Sequence, residues 1–129
     1  MNRIILIALI AIAITACQKN NNTAPDASKV SITISSPQEG AVYHSGDTVH
    51  IIAAVTYPSE LHGYELTITD SVGNVVYDLD DHVHDNHFEI DSSWVITGTQ
   101  PGPLKLKLEA EIDHNGNSAE KTVNVHYRP

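Results

Sequence analysis

One cysteine, one methionine, one phenylalanine and one tryptophan in 129 residues leave this chain little sulfur and few large rings. A single cysteine cannot close an intrachain disulfide, and a single methionine, Met1, rules out thioether copper chemistry. Basic side chains are scarce too: seven Lys+Arg stand against sixteen Asp+Glu, a formal net charge of −9. Such a chain is repelled by nucleic acid and by anionic lipid headgroups, and it attracts cations. No run of aromatics offers a stacking platform for bases, so no nucleic acid partner is expected. Long apolar runs are also missing. The longest, Ile4 to Ile14, has the length of a signal-peptide core and is too short to span a bilayer.

That run has a short positive lead, Asn2-Arg3, and ends in Ile14-Thr15-Ala16-Cys17. An apolar residue, two small residues and Cys resemble the lipobox of bacterial lipoproteins. The resemblance implies that residues 1–16 are a lipoprotein signal peptide, removed on export, and that Cys17 is lipidated and holds the protein on a membrane. Each buried acyl methylene contributes about 0.8 kcal/mol, so three chains anchor without a transmembrane helix. The alternative is an ordinary secretory signal that leaves Cys17 a free thiol. With Cys17 lipidated, no thiolate remains for catalysis or metal binding. Residues 17–29 include Asn20-Asn21-Asn22 and Pro25 and read as a flexible linker. In some lipoprotein systems, acidic residues just after the Cys direct export to the cell surface. Gln18-Lys19-Asn20 carries none, which favours the periplasmic face of the outer membrane.

From Val30 onward the apolar period is two rather than 3.6. Val49, Ile51, Ala53, Val55 and Tyr57 share one face of a strand, and Tyr64, Leu66 and Ile68 share one face of the next. Val75 to His84 follows, then a short strand at Phe88 and Ile90 near Trp94. Leu104 to Ile112 and Asn117 to Val125 read as a hairpin about Asn115-Gly116, a pair suited to a two-residue turn. That turn predicts Leu108 opposite Val123 and Leu106 opposite Val125, with Lys121 the one misfit on the apolar face. About seven strands without a helix predict an all-β antiparallel sandwich over residues 30–127.

Ser36-Pro37-Gln38-Glu39-Gly40, Gly46-Asp47-Thr48-Val49, Gly63-Tyr64-Glu65-Leu66 and Asp113 to Asn117 carry a further resemblance. They look like bacterial immunoglobulin-like and fibronectin-like extracellular modules. The whole layout is similar to small Ig-like lipoproteins of Bacteroidetes-type bacteria of unknown function. The resemblance implies a fold and supplies no activity.

One stretch carries chemistry. Residues 78–91 hold His82, His84 and His87 among Asp78, Asp80, Asp81, Asp85, Glu89 and Asp91, with no Lys or Arg. His-x-His on a strand points both rings to one side, with Cα atoms roughly 6.6 Å apart, a gap that one zinc ion can bridge. Asp85-Asn86 is turn-prone and would fold His87 back over the same ion. Asp80, Asp81 and Asp85 are candidate carboxylate ligands or partners for the imidazole N–H groups. His62 is a candidate fourth ligand. The Ser71–Asn74 turn sets it opposite Val83 or Asp85, depending on register. Strand alternation would then point it away from His82 and His84 unless a bulge near His62-Gly63 or a twist at the strand end intervenes. A solvated acidic face without metal is the competing reading of the same residues. His44, His50, His114 and His126 read as surface histidines.

No Gly-x-Ser-x-Gly elbow is present, so hydrolytic chemistry is not expected and the chain does not read as an enzyme. The expectation is a lipid-anchored envelope module that binds a divalent transition metal, zinc first, for capture or for delivery to an envelope transporter or receptor. An imidazole and carboxylate set without sulfur favours zinc, then copper(II) or nickel. The alternative is a structural or interaction module, of adhesion or accessory type, with no metal site.

Overall fold

A computed structural model describes residues 24–129; the apolar leader, Cys17 and most of the linker lie outside the described residues. A single 3₁₀ turn, Ala27–Lys29, leads into eight strands. They are β1 (Ser31–Ser36), β2 (Val42–His44), β3 (Thr48–Leu61), β4 (Gly63–Thr69), β5 (Val75–Asp81), β6 (Asp85–Val95), β7 (Gly102–Glu111) and β8 (Ser118–Arg128). One sheet runs β1-β3-β6 and the other β2-β8-β7-β4-β5, with only β2 and β8 parallel. The chain changes sheet at five of its seven connections, among them β3–β4 and β5–β6. Period two explains the layering: Val49, Ile51, Ala53 and Val55 of β3 face Leu104, Leu106, Leu108 and Ala110 of β7 in one buried core. Leu66, Ile68, Phe88, Ile90, Val123 and Val125 complete it.

The sandwich is the one the alternation predicts, with three differences. β5 stops at Asp81, three residues before His84, and β6 runs eleven residues rather than a short stretch about Phe88 and Ile90. β6 is long because β3 pairs with it continuously from Thr48↔Val95 to Thr56↔His87, so its polar residues stay in the ladder. The C-terminal hairpin is offset by two residues: Leu106 faces Val123, and Leu108 faces Lys121. A shift of two keeps every side chain on its face, which is why the apolar sets still meet. Lys121 escapes the core by reaching across to β1, where its Nζ donates to the Ile32 carbonyl at 3.1 Å.

The offset has a local cause, and the chain uses it twice. Asp70-Ser-Val-Gly-Asn74 and Asp113-His-Asn-Gly-Asn117 are the same five-residue pattern. In each, Asp Oδ1 accepts from the backbone N–H two and four residues on: Val72 at 3.1 Å and Asn74 at 2.8 Å, Asn115 at 2.9 Å and Asn117 at 3.1 Å. In each, Oδ2 accepts from the Asn side-chain amide, at 3.1 Å and 2.7 Å. The glycine takes the left-handed conformation, with φ 90° at Gly73 and 87° at Gly116. An Asp that gathers amides this way holds a wider loop than the two-residue turn Asn115-Gly116 suggests.

Both carboxyls sit below the usual carboxylate range. At Asp70, burial pushes the value up, and the Asn74, Val72 and Gly73 donors more than offset it. At Asp113 the Asn117 side-chain amide dominates, helped by the Asn117 and Asn115 backbone amides. A native value below the unfolded one, near 3.9 for Asp, gives stability that is present above that pH. It is lost as pH falls through the native value. Urea midpoints should therefore hold level down to about pH 4 and fall below it. Asp70→Asn should flatten that fall, and an unchanged acid limb in this variant would show that the turn does not act through its charge.

Candidate metal centre

One end of the sandwich gathers three connections. Leu61 lies opposite Asp85, Tyr64 opposite Asp81, Gly63 opposite Glu111, and Glu111 opposite Ser118. The β3–β4 link at His62, the β5–β6 link at residues 82–84 and the β7–β8 loop therefore share one pole. The β3–β6 register breaks between Thr56 and Leu61, and this irregularity turns Pro58, Ser59 and Glu60 to solvent, as a Pro-bearing bulge does. Glu60 thereby reaches the same pole. His62 is tied down by its N–H, which donates to the Glu111 carbonyl at 2.8 Å.

Among the described residues, Glu60, His62 and His84 form a group whose ligand atoms all lie within 4.8 Å of one another. His84 Nδ1 and Glu60 Oε1 are 3.4 Å apart, on side chains more than half exposed. His62 is partly buried, and its Nδ1 is closed to solvent with no hydrogen-bond partner. It is the one buried side-chain polar atom among the described residues that lacks a hydrogen-bond partner. Two further ring contacts surround it: His84 at a centroid distance of 5.0 Å and His114 at 4.4 Å. An open cleft of about 570 Å³ lies alongside, with Glu60 and His62 in its wall beside Pro25, Asp26, Lys29 and Tyr57.

His62 and His84 thus meet, and no bulge at Gly63 is needed. The β4–β5 ladder is regular from Tyr64↔Asp81 to Ile68↔Tyr77, the register that would place His62 opposite Val83. Both His62 and residues 82–84 lie beyond the ends of the strands, so alternation no longer governs where their side chains point. Gly63 makes the approach possible: at φ 151°, an added Cβ would stand 2.5 Å from the Asp81 carbonyl oxygen.

The other residues singled out from sequence fall elsewhere. His82 is exposed in the β5–β6 link, outside the group of three. Asp85-Asn86 is no turn: Asp85 opens β6, and His87 lies in that sheet opposite Thr56, with Nε2 3.8 Å from Glu89 Oε1. His87 therefore does not fold back toward His84. Asp80 sits on β5 opposite Glu65, Asp81 opposite Tyr64, and Asp85 accepts from the Asn86 N–H at 2.7 Å; none joins the group. The carboxylate that does is Glu60, and the extra ring is His114; sequence reading had singled out neither as a ligand. Glu60 follows Pro58, where alternation ends, and His114 is brought in by the distant β4–β7 pairing, which no local pattern announces.

The surroundings are acidic. Asp80, Glu65, Glu109 and Glu120 stand in one row across β5, β4, β7 and β8, two residues inward from Gly63, Glu111 and Ser118. Lys107 Nζ lies 2.8 Å from Glu109 Oε2, and with the Ser118 hydroxyl it holds the Glu109 carboxyl below the usual range. The rest of the row carries net negative charge, which raises the local concentration of cations.

No protein-family model matches the chain, and no curated protein matches it. Solved structures do. The fibronectin(III)-like modules of Clostridium thermocellum CbhA superpose with a TM-score of 0.50 at 21% identity, over 75% of this chain and 94% of that one. The fold is an immunoglobulin/fibronectin-like β-sandwich. The endo-beta-1,4-mannanase of Thermotoga petrophila matches at TM-score 0.55 and 16% identity over 83% of this chain, which spans only 21% of that enzyme. Spo0M, a sporulation control protein of Bacillus subtilis, matches at 0.52 and 10% identity, over 78% of this chain and 49% of that one. Proteins this different in sequence share an architecture on which unrelated sites are built.

Proposed function

We propose that the fibronectin-like domain is the metal-binding head of a bacterial outer-membrane lipoprotein, anchored through Cys17 on the periplasmic face. It captures a divalent transition metal and passes it to an envelope transporter or receptor, and it is not an enzyme. The observation that carries this reading is the convergence of Glu60 and His62, at the end of β3, with His84 of the β5–β6 link, at a partly buried histidine whose Nδ1 has no hydrogen-bond partner. Two imidazoles and a carboxylate suit zinc, then copper(II) or nickel; calcium would take oxygens instead. Tetrahedral zinc holds its ligand atoms roughly 3.3 Å apart. Closing from 4.8 Å needs only rotation of the exposed Glu60 and His84 side chains about the fixed His62.

Metal that binds only the folded state stabilises it by about 2.7 kcal/mol at a hundredfold excess over Kd. For a domain of about 100 residues that raises Tm by roughly 10 °C or more. Zinc should produce this shift in the untagged protein. His84→Ala and Glu60→Ala should reduce or abolish it, while His87→Ala and His126→Ala should leave it intact. A wild-type melting curve that ignores zinc, copper and nickel would end the metal reading and leave an Ig-like interaction module.

Anchoring is tested separately. Cys17→Ala should leave the protein uncleaved or release it from membranes on cell fractionation. Normal processing together with unchanged membrane association would rule out lipidation at Cys17.

A further inference from the structure

The group of three ligands leaves a tetrahedral ion one position short, and the same pole supplies a candidate. We infer that His114, from the β7–β8 loop, is the fourth ligand, so that the metal is enclosed by three imidazoles and one carboxylate with no open position. The inference rests on the reading of Glu60, His62 and His84 as a metal centre.

The ring geometry carries it. When two imidazoles ligate one tetrahedral zinc at about 2.0–2.1 Å, their ring centroids stand roughly 5 Å apart. The three histidine pairs at this pole measure 5.0 Å for His62–His84, 4.4 Å for His62–His114 and 6.3 Å for His84–His114. These values bracket the separation that a shared ion requires, with His62 between the other two. The rings are inclined at 85°, 60° and 64°, not stacked in parallel, which lets one nitrogen of each aim at a common point. The loop that bears His114 is also fixed in place. Asp113 gathers the amides of Asn115 and Asn117, and the Ile112 N–H donates to the Asn117 carbonyl at 2.8 Å. His114 lies outside the group of three, but it is exposed, so its ring can turn onto the ion without disturbing that backbone.

A closed four-ligand set has a chemical consequence. Catalytic zinc keeps a coordination position for water, whereas closed sites hold or transfer the ion. Three of the four ligands, Glu60, His84 and His114, are exposed, so a competing chelator can displace them one at a time and lift the ion from His62.

Cobalt(II) is the probe, because four-coordinate cobalt absorbs visible light far more strongly than its five- or six-coordinate forms. The full chain is used, in detergent and untagged, with Cys17→Ser so that no thiolate competes. Cobalt should give the intense four-coordinate spectrum. His114→Ala should weaken that absorption and lower cobalt affinity by more than the roughly 10–100-fold typical of losing an outer-shell partner. Added imidazole should restore the intensity in this variant, which a merely structural defect would not allow. His87→Ala should match the parent protein. Retention of both intensity and affinity in His114→Ala would overturn the inference and leave the three-ligand centre standing. Absence of any cobalt spectrum in the parent protein would overturn the metal centre and this inference together.

Discussion

Gly63→Ala should lower stability by about 4 kcal/mol, from two causes that add. Gly63 has φ 151°, outside the range that residues with a Cβ readily adopt, and such strain costs on the order of 1–3 kcal/mol. The new Cβ would also sit 2.5 Å from the Asp81 carbonyl oxygen and 3.4 Å from the His82 Cα. Both neighbours are backbone, so relief requires β4 and β5 to separate, and overpacking of this kind costs about 1–3 kcal/mol more. For a domain near 100 residues the sum corresponds to a fall in Tm of roughly 15 °C or more. The same separation carries residues 82–84 away from His62, so whatever stabilisation zinc gives should shrink in this variant. Thermal melts with and without zinc measure both effects. A Tm within two or three degrees of wild type would show that the strands do not approach this closely at Gly63.

His62→Leu should move stability in opposite directions with and without metal. In the metal-free protein His62 Nδ1 is enclosed without a hydrogen bond. An unsatisfied buried polar atom costs about 1–3 kcal/mol, and an apolar side chain of similar size removes that penalty. Leu at this position would line the cleft beside Ile112, which is buried. The expected result is a gain of about 1 kcal/mol, or a Tm higher by 4–8 °C, in the presence of a chelator. In excess zinc the variant loses the metal's contribution of about 2.7 kcal/mol. Relative to wild type the variant goes from about 1 kcal/mol more stable in chelator to about 1.7 kcal/mol less stable in zinc, a swing of about 2.7 kcal/mol. A site kept at a loss of stability in the absence of its ligand is the signature of function. A variant less stable than wild type in chelator would mean that His62 is satisfied in solution. A variant that still responds to zinc would remove His62 from the ligand set.

The fold was legible because it rests on alternation, and alternation is local. Val49 to Val55 and Leu104 to Ala110 declare their buried faces in the sequence itself, and a sandwich is what such strands can form. Hairpin register was less legible. Asn115-Gly116 points to a two-residue turn, and only the recurrence of Asp-x-x-Gly-Asn at 70–74 and 113–117 signals the wider loop. That recurrence was available in the sequence and would have corrected the offset. The candidate site was legible in part. His62 and His84 could be placed beside each other by counting along the β4–β5 hairpin, since that pairing is between neighbours in the chain. His82 and His87 stood out by density alone, and density does not fix direction: one lies in a link between sheets, and the other in the sheet β6 has joined. Glu60 and His114 depend on a bulge after Thr56 and on the pairing of β4 with β7. Pro58 marks where alternation ends but not where Glu60 is then sent, and nothing beside His114 announces the β4–β7 pairing.

The pole where these connections meet is also where the chain passes from one sheet to the other. His62 lies on the β3–β4 crossing and His84 on the β5–β6 crossing, and His114 follows β7, the strand that pairs with β4. Glu60, His62 and His84 come together with the β4–β5 hairpin, but His114 joins them only when β4 pairs with β7, Gly63 opposite Glu111, and closure between segments so distant in the chain is a late and slow event in folding. Contacts that are complete only in the native state leave the folding rate nearly unchanged and act on the rate of unfolding. An ion held at this pole would thus lengthen the lifetime of the folded domain without hastening its formation.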